Sequence, residues 1–247
     1  MFYTFEHLKR RVNYNYKLKY NSFVILYKYI YIYIMTSCNI IVSYYNNKNF
    51  LELLDLFETK FLYKYNAVVY NKSGDEIKLK KIVIHKYLEN IGREGETYLN
   101  HIITNYNNLP EYTIFIQDDT NNHIPNYNKF ISFCNNIIDN KQLFALYPSR
   151  WRPGYGVCRR TIINGICNLH TLPSKDSIKI CCEKHSIYLP KWYTTETCAF
   201  FICHKNSILN HKKNFYIKLR EWLLSEHKNI FVLEHIWKLI FTDKPAF

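Results

Sequence analysis

From residue 39 to residue 70 the hydrophobic positions change period twice. Asn39-Ile-Ile-Val-Ser-Tyr-Tyr45 is a continuous β-branched and aromatic run closed by the polar cluster Asn46-Asn47-Lys48-Asn49, which predicts a buried strand. Phe50, Leu53, Leu54 and Phe57 then recur at helical spacing, with Glu52, Asp55 and Glu58 on the opposite side. Asn66-Ala-Val-Val-Tyr70 predicts a second strand, and Asn71-Lys-Ser-Gly-Asp75 has the composition of a turn. An opening β-α-β predicts an α/β domain, with a parallel sheet covered by helices and ligands at the carboxyl ends of its strands.

The pattern continues after a basic stretch from Lys78 to Lys86. Asn90-Ile-Gly-Arg-Glu-Gly-Glu precedes an amphipathic helix through Tyr98, Leu99, Ile102, Ile103 and Tyr106, which stops before Pro110. Tyr112-Thr-Ile-Phe-Ile116 is a further strand that runs straight into Gln117-Asp118-Asp119. Residues 140–195 are less regular. A last strand, Cys198–Cys203, precedes helical patterns at 207–211, 215–224 and 231–241. A single domain over residues 35–247 follows. Residues 1–34 differ: a basic stretch leads into a Tyr/Ile-rich run interrupted by Lys28, read as an extension, with Met35 as an alternative start and a short interfacial anchor as the other reading. No run of about 20 apolar residues is free of charge, so no transmembrane helix is expected.

Composition changes the picture in two places. The chain has 247 residues, 48% hydrophobic, with 6 Gly and 7 Pro, which supports a sizeable core and excludes disordered or fibrous classes. Its net charge of +13 would draw polyanions if clustered. Lys outnumbers Arg 25 to 8 in a chain rich in Asn, Ile and Tyr, however, so the basicity reflects A/T-rich coding, and no specific nucleic-acid binding is expected. Eight cysteines without a cleavable signal predict a reducing, cytoplasmic setting. Cys158, Cys167, His170, Cys181, Cys182 and His185 match no common zinc spacing. Walker and Gly-x-Gly-x2-Gly loops are absent, which removes the usual nucleoside-triphosphatase and dinucleotide readings.

The segments Ile41–Asn46, Val69-Tyr-Asn-Lys72, Asn90-Ile-Gly-Arg-Glu94 with Thr97-Tyr-Leu99, and Leu109-Pro-x-Tyr-Thr-Ile-Phe-Ile-Gln117 resemble the family catalogued as domain of unknown function 3431. Ala199-Phe-Phe-Ile and Leu233-Glu-His-Ile-Trp237 extend the likeness more weakly. That family looks like GT-A glycosyltransferases. The resemblance implies a GT-A-like (Rossmann-like) mixed, mainly parallel sheet flanked by helices. It further implies a nucleotide-sugar donor, a glycan or protein acceptor, and Mn2+ or Mg2+ at an Asp-x-Asp-like motif. Here the two acids, Asp118 and Asp119, are adjacent.

The residues offer their own candidates. Asp118 and Asp119, with His123, present hard ligands for a divalent ion; the same string is also turn chemistry. Arg93 and Glu94 stand at a helix entry, where free N–H groups favour a phosphate, or where the two form a structural ion pair. Asn46, Asn71 and Lys72 follow the first two strands, where a nucleotide would lie. Glu196 and Glu234 are candidate bases for an acceptor hydroxyl, although Lys238, four residues on, offers Glu234 a surface partner. The competing class is a non-catalytic basic protein that binds nucleic acid or an anionic surface. Basic groups ringing a pocket around Asp118 and Asp119 would favour the enzyme, and a convex basic stripe the binder.

Overall fold

The computed structural model describes residues 37–78, 83–149, 159–167, 177–197 and 199–242, which belong to one compact unit, Ser37–Phe247. The expectations for residues 1–34 lie outside the described residues. In chain order the elements are β1 Ser37–Tyr44, α1 Phe50–Lys60, β2 Lys64–Asn71, β3 Val83–Tyr87, α2 Arg93–Asn105 and β4 Tyr112–Gln117. There follow α3 Thr120–His123, α4 Tyr127–Asp139, β5 Phe144–Leu146, β6 Arg159–Ile163, β7 Ile166–Cys167 and α5 Ser177–Lys184. The last are β8 Trp192–Glu196, β9 Phe201–His204, α6 Lys205–Leu209, α7 Lys213–Ser225 and α8 Leu233–Thr242.

The main sheet has the order β3-β2-β1-β4-β9-β5. β3, β2, β1 and β4 are mutually parallel, and β9 runs antiparallel to both of its neighbours. The expected mixed, mainly parallel sheet flanked by helices is therefore present. Ile40, Ile41 and Val42 of β1 are fully buried, so this strand is covered on both faces, as its unbroken apolar run requires. Side chains alternate between those faces. Tyr44 packs on Phe50 of α1, and Phe57 of α1 meets Phe130 of α4. In the other layer Phe115 and Phe201 meet Tyr98 of α2, and Phe201 also meets Trp237 of α8.

The structure departs from the sequence reading in the middle of the chain. β6, β7 and β8 form a separate three-stranded antiparallel sheet in the order β7-β6-β8, inside the stretch read as irregular. β3 lies within the stretch read only as basic, because Lys86 and His85 interrupt a short edge strand. α4 was not singled out in the sequence, although Phe130, Ile131, Cys134, Ile137 and Ile138 keep helical period; the Asn126 side chain accepts from the Lys129 N–H as an N-cap. Among the described residues no helix is long and apolar enough to cross a membrane.

Candidate functional site

The parallel strands reverse order between β1 and β4, since β2 and β3 extend to one side of β1 and β4 lies on the other. Crevices that open at the carboxyl ends of strands at such a point are where open α/β sheets bind ligands. The register pairs Ser43 with Gln117 and Tyr44 with Asn71, so these strands end level with one another. A cleft of about 360 Å³ opens at those ends, lined by Ser43, Tyr45, Lys72, Gln117, Asp118 and Asp119, with Asn90, Arg93 and Glu94 from the entry to α2. A larger, shallower hollow of about 520 Å³ lies beside α5 and contains none of the predicted residues; its acid, Glu183, is paired with Lys179.

Asp118 ties two strands together. Its Oδ2 accepts from three successive backbone N–H groups, Tyr45 at 2.9 Å, Asn46 at 2.9 Å and Asn47 at 2.8 Å, while its own N–H donates to Ser43 O at 3.1 Å. The loop after β1 is thus a concave nest of donors, already filled by a carboxylate. Asp119 is occupied differently: Oδ1 accepts from the Asn47 side-chain amide, and both oxygens accept from Asn122. His123 Nε2 lies 4.0 Å from Asp119, and its pKa is lowered, chiefly by burial, against the pull of Asp119. Asp118, Asp119 and His123 are therefore not gathered as three ligands, and among the described residues no such group of His, Cys, Asp or Glu exists. Of the atoms expected to hold Mn2+ or Mg2+, Asp118 Oδ2 is taken up by N–H donors, and Asp119 by Asn47 and Asn122.

The entry to α2 is unusual in its backbone. Gly92 and Arg93 are both left-handed, at φ 61° and 53°. A Cβ on Gly92 would stand 2.6 Å from Glu96 Cβ and 2.8 Å from Leu224 Cδ2, so only glycine fits. The non-glycine Arg93 in that region stores about 1–2 kcal/mol of strain. Lys72 supports the turn from beneath. Its buried Nζ donates to the carbonyls of Ile91 and Arg93, the latter at 2.7 Å, and to Glu96 Oε2 at 3.1 Å. Glu96 Oε1 takes both Nε and Nη2 of Arg220 from α7, at 3.0 and 2.7 Å. Burial lowers the Lys72 pKa, and the Glu96 charge opposes that shift. Lys72 is thus a strut and has no donor left for a ligand.

Arg93 stands in the opposite condition, with 45% of its side chain exposed. Its Nε lies 3.4 Å from Glu94, its Nη2 lies 3.9 Å from Glu234 of α8, and its guanidinium sits over the Phe231 ring. Glu94 foremost holds the Arg93 pKa above its ordinary value. Glu234 does not use Lys238, which reaches the Thr194 carbonyl instead. Burial, then the charge of Glu94, pushes the Glu234 carboxyl up to about 8, with Arg93 opposing. Gly95 permits this approach, since a Cβ there would lie 3.0 Å from Leu233 Cδ1 at the start of α8.

The remaining predicted residues lie elsewhere. Asn71 is fully buried and builds its own turn, accepting from Ser73 N–H and Oγ and donating to Asp75 O. Asn46 contributes its backbone N–H to Asp118, and neither Asn lines the cleft. Glu196 ends β8 and pairs with Arg159 at 3.0 Å across the small sheet, away from the cleft lining. Sequence reasoning did not offer Ser43, Tyr45, Asn90 or Gln117 as site residues, although all four line the cleft; Asn90 and Gln117 stand in the segments that carry the family resemblance, and that was the signal that could have found them. Among the described residues no ring of basic groups surrounds the cleft: its lining holds two cations, Lys72 and Arg93, and both face glutamates. A family model described as "Protein of unknown function (DUF3431)" matches residues 57–247. No curated protein matches the chain significantly.

Proposed function

The chain belongs to the DUF3431 family, whose description names no activity, and on that footing we propose that it is a glycosyltransferase that uses a nucleotide sugar to modify a hydroxyl of a glycan or protein. One observation carries this reading. At the switch point of the sheet, an exposed arginine at a helix entry without a side-chain cap stands beside two glutamates, at the rim of a cleft with polar walls. The donor requires such a combination: a cation and free N–H groups for its diphosphate, and acceptors for its hydroxyls.

In this reading Arg93 and the first N–H groups of α2 hold the diphosphate. The amides of Asn90 and Gln117 and the second oxygen of Asp118 meet sugar hydroxyls, and the half-exposed Tyr45 ring offers a stacking face for a base. Glu234, in its ionised form, removes the proton from the acceptor hydroxyl as that oxygen attacks the anomeric carbon, and the nucleoside diphosphate leaves against Arg93. Divalent-metal assistance remains part of the family resemblance, but no step here passes through a metal.

The test is a thermal melt of the full chain with UDP, GDP and their sugars, followed by assay of nucleoside diphosphate release with simple sugar acceptors. One nucleotide class should raise the Tm in a saturable manner, and Arg93→Ala should remove the rise. Glu234→Gln should keep binding and lower turnover about 10²-fold or more. If no nucleotide shifts the melt, while the chain binds random RNA or DNA in a salt-sensitive manner, the basic binding protein becomes the better account.

A further inference from the structure

The small antiparallel sheet has two unlike faces. Directly opposed residues of antiparallel strands share a face, so Ile162 and Tyr193 form one row and Ile163, Ile166 and Trp192 another. The first row is buried against the core, where the Tyr193 hydroxyl donates to His235 O at 2.8 Å. The second row faces outward: Ile163 and Ile166 are each 43% exposed, and Trp192 is 66% exposed. Further along that face come Thr161 and Thr194, with hydroxyls 3.4 Å apart, and then the Arg159–Glu196 ion pair. The apolar part of the face is thus its end beside the β6–β7 turn. That turn is Asn164-Gly165, at φ 49° and 79°, the form that closes a tight hairpin. It is seated on α5, since a Cβ on Gly165 would stand 2.6 Å from Lys179 Cβ, and the Asn164 N–H donates to Lys191 O at 2.7 Å. The hollow of about 520 Å³ beside α5 opens at this turn, and its lining includes Lys179, Lys191 and the exposed Tyr188. From residue 177 to residue 192 the chain holds three lysines, Lys179, Lys184 and Lys191, against one acid, Glu183. All three lysines are exposed.

We propose that this end of the small sheet docks on an anionic lipid bilayer, with Trp192, Ile163 and Ile166 entering the headgroup layer and the lysines resting among the phosphates. The chemistry of the surface selects that occupant. Two β-branched side chains and two aromatic rings held together in water form a patch that gains free energy when it is covered. Trp and Tyr sit well at the level of the headgroups, where part of the ring is in an apolar medium and part is wet. Lysine stems are flexible, so the apolar row can sink while the ammonium groups stay with the anionic headgroups. A second copy of the chain fits less well, because a two-fold contact would set the same lysines against each other, and like charges across an interface oppose association. Nucleic acid fits less well too, since the isoleucines in the row offer no stacking platform for bases. The surface shares no residue with the cleft, so the inference is independent of the transferase reading.

The experiment is sedimentation of the full chain with vesicles of phosphatidylcholine alone and of an equal mixture of phosphatidylcholine and phosphatidylserine, over a range of salt. The chain should bind the mixed vesicles, bind the neutral ones about tenfold less tightly, and lose affinity as salt rises. Ile163→Ser combined with Trp192→Ser should weaken binding to the mixed vesicles about tenfold or more, and Lys191→Gln about fivefold. These three positions are exposed, so the thermal melts of the variants should match that of the wild type. Trp192→Phe should keep most of the binding but lose the blue shift of tryptophan emission that vesicles induce in the wild type, which identifies the inserted ring. Failure to bind the mixed vesicles would overturn the proposal. So would binding that the paired Ser variant leaves unchanged, because the attachment would then run through another part of the chain. Equal binding to both kinds of vesicle would overturn the choice of an anionic surface. A wild-type dimer that the paired Ser variant dissociates, without vesicle binding, would assign the face to a second copy instead.

Discussion

One carboxylate oxygen, Asp118 Oδ2, satisfies three consecutive N–H groups of the loop after β1. Removing it leaves several partly buried donors without an acceptor, at a cost of about 1–3 kcal/mol for the first and less for those that reach water. Asp118→Ala should therefore lower stability by about 2–4 kcal/mol in urea melts, and Asp118→Asn, which keeps one oxygen, by less than half of that. Equal losses in the two variants would refute the anchoring role. A rise in the wild-type Tm on adding Mn2+ that both variants lose would return Asp118 to the metal. The adjacency of Asp118 and Asp119 at the end of an apolar strand announced, from sequence, a charge in need of compensation. What compensates Asp118 was not legible, because the donors belong to residues 45–47, and backbone N–H groups carry no residue-specific signal.

At the scale of elements, α2 shows what a local string can and cannot specify. Asn90-Ile-Gly-Arg-Glu94 marks a helix entry, and the left-handed Gly92 explains why glycine stands there. Gly92→Ala should cost about 1–3 kcal/mol, measured by denaturant unfolding, and displace the turn that carries Arg93. Glu96 reads as an ordinary first-turn acid, yet it is fully buried between Lys72 and Arg220. Glu96→Ala leaves two cations without their partner and should destabilise the fold by about 3–5 kcal/mol, measured by denaturant unfolding. A loss under about 1 kcal/mol would show that water replaces the glutamate. β1, α1, β2 and β4 were legible because each buries a full period of apolar residues. β3, β5 and the small sheet were not, because two to five residues per strand are too few to establish an alternation.

For the molecule as a whole, His101 and His185 on one side and the Glu234 carboxyl on the other set opposite pH slopes. Burial foremost brings the His101 pKa down to about 3 and that of His185 to about 4. The unfolded chain takes up these protons below about pH 6.5, so stability falls as pH drops through the range between the unfolded and folded values. The carboxyl of Glu234 is raised instead, so its folded state binds the proton more tightly, and the stability it confers is lost as pH rises from about 4.5 to about 8. Below pH 6.5 the histidines outnumber the single acid, and from there to about pH 8 the Glu234 carboxyl sets the slope. Urea midpoints across pH should therefore peak near about pH 6.5, and Glu234→Gln should flatten the alkaline side alone. A plateau from pH 6 to 8 in the wild type would contradict the raised carboxyl.

The approach of α8 to α2 at Gly95 also has a meaning in time. Glu94 leaves the ribosome early, and Glu234 is added only when nearly all of the described chain has been made. The strands that form the floor of the cleft can assemble first, but the second glutamate that faces Arg93 arrives with the last helix. A chain interrupted before α8 would lack both the Trp237 ring packed on Phe201 and the carboxyl of Glu234 beside Arg93.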